Sequence, residues 1–229
     1  MNPRHHLDEA TVLSFAAGAL SAEMAAVAAT HMEVCELCRE RLSEAERIGG
    51  ALLGQQQPAA GADAARGARL REAMLDLLDE EPKLEADAAD GRLQPIDASA
   101  VDADCLPRPL QPYFGRSWRA LRWRWMAPGV HMIRAARGSG DTLILLKIAP
   151  GKSMPIHSHQ GTELTQILQG AYNDALGHYA PGDVADLDNE IQHQPITAPG
   201  VPCVCVAALD APLRFPGWLA RKLQPLVGL

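Results

Sequence analysis

Eight residues near the head of the chain, His31-Met-Glu-Val-Cys35-Glu-Leu-Cys38, restrict its folding more than any other stretch. On a helix, positions three and four apart share a face, so His31, Cys35 and Cys38 converge. One imidazole and two thiolates at that spacing supply three corners of a tetrahedral zinc site. The fourth must come from elsewhere, and His5 and His6 stand upstream as donors. A redox dithiol is the competing reading of Cys-x-x-Cys. Redox pairs open a helix after a strand, whereas no β-rich run precedes this one and a histidine four residues ahead has no part in that chemistry. The spacing predicts a closed zinc site that ties a small, alanine-rich segment into a folded unit.

Charge is distributed in blocks. Residues 1–48 carry four basic and eight acidic side chains, residues 76–104 two and ten, and residues 105–229 twelve and eight. Such blocks predict separate modules joined by an acidic, solvated connection, and the net charge of −7 argues against general nucleic-acid binding. A hydrophobic content of 47% with 21% charged residues is that of a soluble globular protein. No run approaches the ~20 apolar residues of a membrane span, and the start of the chain lacks the apolar core of a signal peptide. Five cysteines at 35, 38, 105, 203 and 205 give an odd count with no secretory framework. These features predict a cytoplasmic protein whose paired cysteines hold metal rather than form disulfides.

In chain order, Leu7–Leu20 is expected as a first helix. Ser21 caps a second helix, which ends near His31. A third runs through Leu42 to Ile48 and is closed by Gly49 and Gly50. Residues 55–67 (QQQPAAGADAARG) form a link. Ala68–Glu80 is a short amphipathic helix with Leu70, Met74, Leu77 and Leu78 at helical spacing. The stripe by itself favours burial in the core of the first module, and the other use is to clamp a partner. From Glu81 to Pro109 the chain is acidic and proline-studded, and Cys105 within it has no expected role. The boundaries so read are 1–85, 86–108 and 109–229.

Beyond Pro109 the period changes to two. Leu121–Met126 alternates apolar and basic residues as a strand with one wet face, and Asp141–Ala149 is a more buried strand. Glycine and proline turns then recur about every ten residues, the pattern of an antiparallel sandwich or barrel. Seven arginines and no acids lie between Leu106 and Gly140. A DNA-binding surface is one reading of them, and arginines on the outer face of a strand are the commoner one. Within this region His157 and His159 are two apart, so both rings leave one face of a strand. Glu163 starts the next strand beside them, and the three donors suit a divalent ion on the inner wall of a small barrel. Cys203 and Cys205 also share a face. A disulfide between them would be strained, and buried strand cysteines are expected.

The run from Gly151 to Gly170, Gly-x5-His-x-His-x3-Glu-x6-Gly, resembles the first cupin motif at every defining position. The likeness implies a further histidine ligand from a later strand, with His193 first and His178 second. Asp188 and Glu190 stand where the second cupin motif has proline and glycine. The two halves together resemble the ChrR-type zinc-binding anti-sigma factors: His6, then His31, Cys35 and Cys38, a linker, a cupin, and the tail from Cys203-Val-Cys205 to Leu213-Arg-Phe.

That resemblance implies a multidomain α + β chain, with an N-terminal zinc-binding helical anti-sigma domain and a C-terminal antiparallel β-barrel. It assigns zinc to His6, His31, Cys35 and Cys38. It assigns a divalent metal, zinc first and iron, manganese or nickel next, to His157, His159, Glu163 and His193. The expected partner is an extracytoplasmic-function sigma factor, held away from RNA polymerase, with no direct nucleic-acid or membrane contact. The cupin is expected to be needed for release under singlet oxygen or organic hydroperoxides, without catalysis. The alternative is a cupin metalloenzyme, a dioxygenase or isomerase, with an accessory zinc domain.

Overall fold

The computed structural model describes residues 3–57, 64–79, 104–135 and 140–216. These fall into two units, one from Met1–Gly49 and Ala103–Leu229, the other from Gly50–Asp102.

Three helices open the first unit. Asp8 caps α1 (Glu9–Ala16) by accepting from the Ala10 amide, and Ser21 caps α2 (Ala22–Val34) by accepting from Met24. Helix α2 stops at Cys35, whose φ of −107° and ψ of 108° are extended, and α3 (Glu36–Gly54) starts at once. Gly49 and Gly50 do not close α3 as the sequence suggested. Glycine lowers helix propensity by only about 1 kcal/mol, and neither residue has a left-handed φ. After Cys105 come a turn of 3-10 helix at Arg108–Leu110 and a short helix at Gln111–Phe114.

The strands that follow are β1 (Arg124–Ala127), β2 (Val130–Arg134), β3 (Thr142–Ile148), β4 (His157–His159), β5 (Glu163–Gln169) and β6 (Tyr172–Asp174). They continue as β7 (Gly177–Tyr179), β8 (Val184–Leu187), β9 (Gln192–His193), β10 (Ile196–Thr197), β11 (Cys203–Leu209) and β12 (Leu213–Arg214). All pair antiparallel, in sheets ordered β1-β2-β3-β11-β5-β8, β10-β6-β7 and β12-β4-β9. The class is the expected one: N-terminal helices and an antiparallel cupin barrel.

Strand β11 is buried along its whole length because both its faces are covered. Cys203, Cys205, Ala207 and Leu209 join the inner clusters of the barrel, while Val206 and Ala208 turn outward. The outward side chains of the large sheet, with Leu143, Leu145, Leu164 and Val184, share one apolar cluster with Leu7, Val12, Met24, Val27 and Ala28 of the helical segment. Leu106 and Leu110 complete that cluster. The first helices and the barrel thus have a core in common.

Two sequence expectations fail locally. Leu121–Met126 yields only the short strand β1, and Trp125 is 68% exposed where alternation would bury it. A bulge between Trp125 and Ala127, on an edge strand, shifts the register there. In the second unit, α4 (Ala64–Asp79) forms as a helix, but Leu70, Met74, Leu75 and Leu77 are 54–68% exposed, so the stripe is not core. The acidic stretch 80–103 lies outside the described residues, as does Leu78's side chain.

Candidate metal centres

His6 lies in the extended strap ahead of α1, His31 in the last turn of α2, Cys35 at the break, and Cys38 in the first turn of α3. The motif therefore straddles two helices rather than one. Convergence survives because Cys35 still donates its amide to the His31 carbonyl (3.0 Å) and Arg39 donates to that of Cys35 (3.3 Å). The four donor atoms lie within 4.8 Å of one another. His6 Nδ1 is 3.2 Å from Cys35 Sγ, which also accepts from the Cys38 amide at 3.5 Å. His31, Cys35 and Cys38 are fully buried.

His31 Nδ1 sits 2.9 Å from the Gly182 carbonyl. A carbonyl only accepts, so Nδ1 carries the proton and Nε2 a lone pair. That Nε2 is buried with no hydrogen-bond partner, an orphan whose lone pair is turned to the thiols. Burial pushes the His31 pKa down to about 4, which keeps the ring neutral, as a ligand must be. Burial also pushes the Cys38 thiol up to about 11, a cost that a coordinated cation offsets by stabilising the thiolate. The donor set fits zinc. His5, the competing histidine, is turned away. Its ring stacks on Tyr179 (centroids 4.0 Å apart) and its Nε2–H donates to the His178 carbonyl at 3.0 Å.

The second cluster is inside the barrel. His157 and His159 project from β4, Glu163 opens β5, and His193 is the direct cross-strand partner of His157. The donor atoms of the three histidines lie within 4.8 Å of one another, and Glu163 Oε2 is 2.9 Å from His159 Nε2. His157 Nδ1–H donates to the Pro155 carbonyl (2.9 Å), and His193 Nδ1–H to Asp174 Oδ2 (3.0 Å). With both rings neutral, as ligands must be, both Nε2 atoms carry lone pairs, and they lie 3.0 Å apart. Three converging imidazole nitrogens fit a divalent metal, with Glu163 beside them on His159.

Burial lowers the pKa of His157. Burial would raise that of Glu163, but the hydrogen bond and charge of His159 outweigh it and hold the carboxyl at about 2. His159 moves the other way: burial lowers it, and its contact with Glu163 raises it by more.

Several residues that shape the clusters were not legible beforehand. Asp174 orients His193, Thr165 donates to Glu163 Oε1 at 2.8 Å, and the Gly182 carbonyl orients His31. Asp174 reads in sequence only as a turn residue, and a backbone carbonyl carries no signal at all. His178 is outside the cluster, bonded to Asn173 Oδ1 at 2.8 Å. Cys203 and Cys205 are free thiols buried within the barrel, and Cys105 forms an isolated bridge with Ser117. Among the described residues, no helix is long and apolar enough to cross a membrane.

The profile described as ChrR Cupin-like domain matches residues 115–211. The chain is 35% identical over 226 residues to the anti-sigma-E factor ChrR of Cereibacter sphaeroides, covering 98% of each protein. It superposes with a TM-score of 0.71 and 30% identity on the crystal structure of Rhodobacter sphaeroides SigE in complex with the anti-sigma ChrR, over 92% of this chain and 100% of that one.

Proposed function

The chain belongs to the ChrR family of anti-sigma factors, and on that footing we propose that it binds and inhibits an extracytoplasmic-function sigma factor. Likeness over 98% of both proteins carries the reading, because it spans the helices as well as the barrel. The exposed stripe of α4 supports it. Leu70, Met74, Leu75 and Leu77 lie exposed on a sixteen-residue helix, as the apolar side of a helix waiting for a groove would. A helix of that length is marginal alone in water, so a partner would supply much of its stability.

In this reading residues 1–85 hold the sigma factor, 86–108 form the acidic connection, and the cupin of 109–229 is needed for release under singlet oxygen or hydroperoxides, acting as a sensor rather than a catalyst in the cytoplasm. His6, His31, Cys35 and Cys38 would hold zinc, and His157, His159, Glu163 and His193 a second divalent ion. Zinc would add folding free energy to the core that the helices share with the barrel.

Co-expression with the sigma factor tests this. The two proteins copurify, Leu70→Ser/Met74→Ser breaks the complex without loss of zinc, and Cys35→Ser loses both. A zinc-free variant that keeps its sigma factor would refute the role of the metal.

A further inference from the structure

Asp174 closes the β6–β7 turn by accepting from the Leu176 and Gly177 amides at 2.8 and 3.2 Å, while its other oxygen orients His193. Its side chain is wholly buried. At the body of the same hairpin Tyr172 and Tyr179 pair across the strands with rings stacked 4.8 Å apart, and His5 stacks on Tyr179 from outside. Gly177 permits this approach, since a Cβ there would come within 3.2 Å of the His5 ring. The turn after the hairpin holds the other cluster. Asp183 accepts from the Arg4 and His5 amides and from Ala180, and the Gly182 carbonyl accepts from His31. The residue after His5 is His6, against Cys35. One hairpin with its following turn therefore touches a ligand, or the strap carrying a ligand, of both clusters.

We propose that the β6–β7 hairpin and the turn Ala180–Asp183 couple the two clusters, so that a divalent metal held by His157, His159, Glu163 and His193 tightens metal binding at His6, His31, Cys35 and Cys38. The proposal rests on the metal reading of both clusters. A metal that fixes His193 fixes Asp174 with it, and hence the hairpin against which the strap and the His31 ring are set. The ordering cost is then met once for two sites, the source of positive coupling.

The experiment uses the full metal-free chain and two probes. Cobalt(II) reports the first cluster through its thiolate charge-transfer band, identified by its loss in Cys35→Ser. Manganese(II), a hard ion that suits nitrogen and oxygen donors, fills the barrel cluster and is followed by its paramagnetic resonance. Cobalt affinity at the thiolate cluster, read by chelator competition, is expected to rise about 5-fold or more when manganese is saturating. His5→Ala, which touches neither metal, lowers that ratio while manganese still binds. Asp174→Asn weakens manganese binding roughly 10-fold or more.

A cobalt affinity indifferent to bound manganese overturns the coupling, and a ratio that keeps its full value in His5→Ala overturns its route through the stacked rings of the hairpin; both leave the two sites standing. Failure of manganese to bind, or absence of the thiolate band, overturns the metal reading itself and the coupling with it.

Discussion

His31 and His193 meet one requirement by different means. Each must keep a lone pair on Nε2 while buried, and each does so by giving its Nδ1 proton to a fixed acceptor, the Gly182 carbonyl in one case and Asp174 in the other. On the proposed zinc site, Cys35→Ser removes a buried soft donor, so we expect the purified chain to lose one zinc ion and its first helices to melt at a lower temperature, measured by metal analysis and thermal circular dichroism. An undiminished zinc content would count against the site.

Asp183 offers a pH test of the strap. Burial pushes its carboxyl up, but the amides of Ala180, His5 and Arg4 outweigh this and hold it below its usual value. Its folded pKa is thus lower than its unfolded one. Its contribution is complete above pH ~4 and drains away as the pH falls through the folded value. The amide chemical shift of Arg4 is expected to move in that acid range. In Asp183→Asn it should already be displaced at neutral pH, and an unmoved shift would show that the carboxylate does not anchor the strap.

At the scale of elements, periodicity carried the secondary structure well where one face meets a core. Strand β3 and the Ser21 cap were legible because each depends on residues within a few positions of itself. Three elements were not. The break was expected near His31 and falls at Cys35, with one extended residue between the helices, a position that helix propensity does not set. Strand β1 lost its alternation to a bulge at a sheet edge. Helix α4 has the stripe of a core helix and is exposed, since amphipathicity states that a face wants cover and not what covers it. We therefore expect Leu77→Ser to weaken sigma-factor binding by about 1 kcal/mol or more while the unfolding of the barrel is unaltered, checked by titration calorimetry and thermal melts. Intact binding would place the partner elsewhere.

For the whole molecule, the shared core is what matters. Leu164 is fully buried on the outward face of β5, in the cluster that includes Val27 and Ala28 of α2. Leu164→Ala is expected to cost about 2–5 kcal/mol and to lower the melting of the helices and the barrel together. Two separable transitions, only one of them moved by the substitution, would show that the first helices and the barrel fold apart.

The sequence by itself determined the donor types, their local spacing and the choice between helix and strand, because these depend on neighbours a few residues away. His31, Cys35 and Cys38 could be read as one site, as could His157, His159 and Glu163. Only the tertiary structure decided that His6 rather than His5 closes the first cluster, that Asp174 holds His193, and that the helices lie on the barrel. Those outcomes turn on contacts between residues far apart in the chain, fixed by burial and by hydrogen-bond direction, for which no local pattern exists.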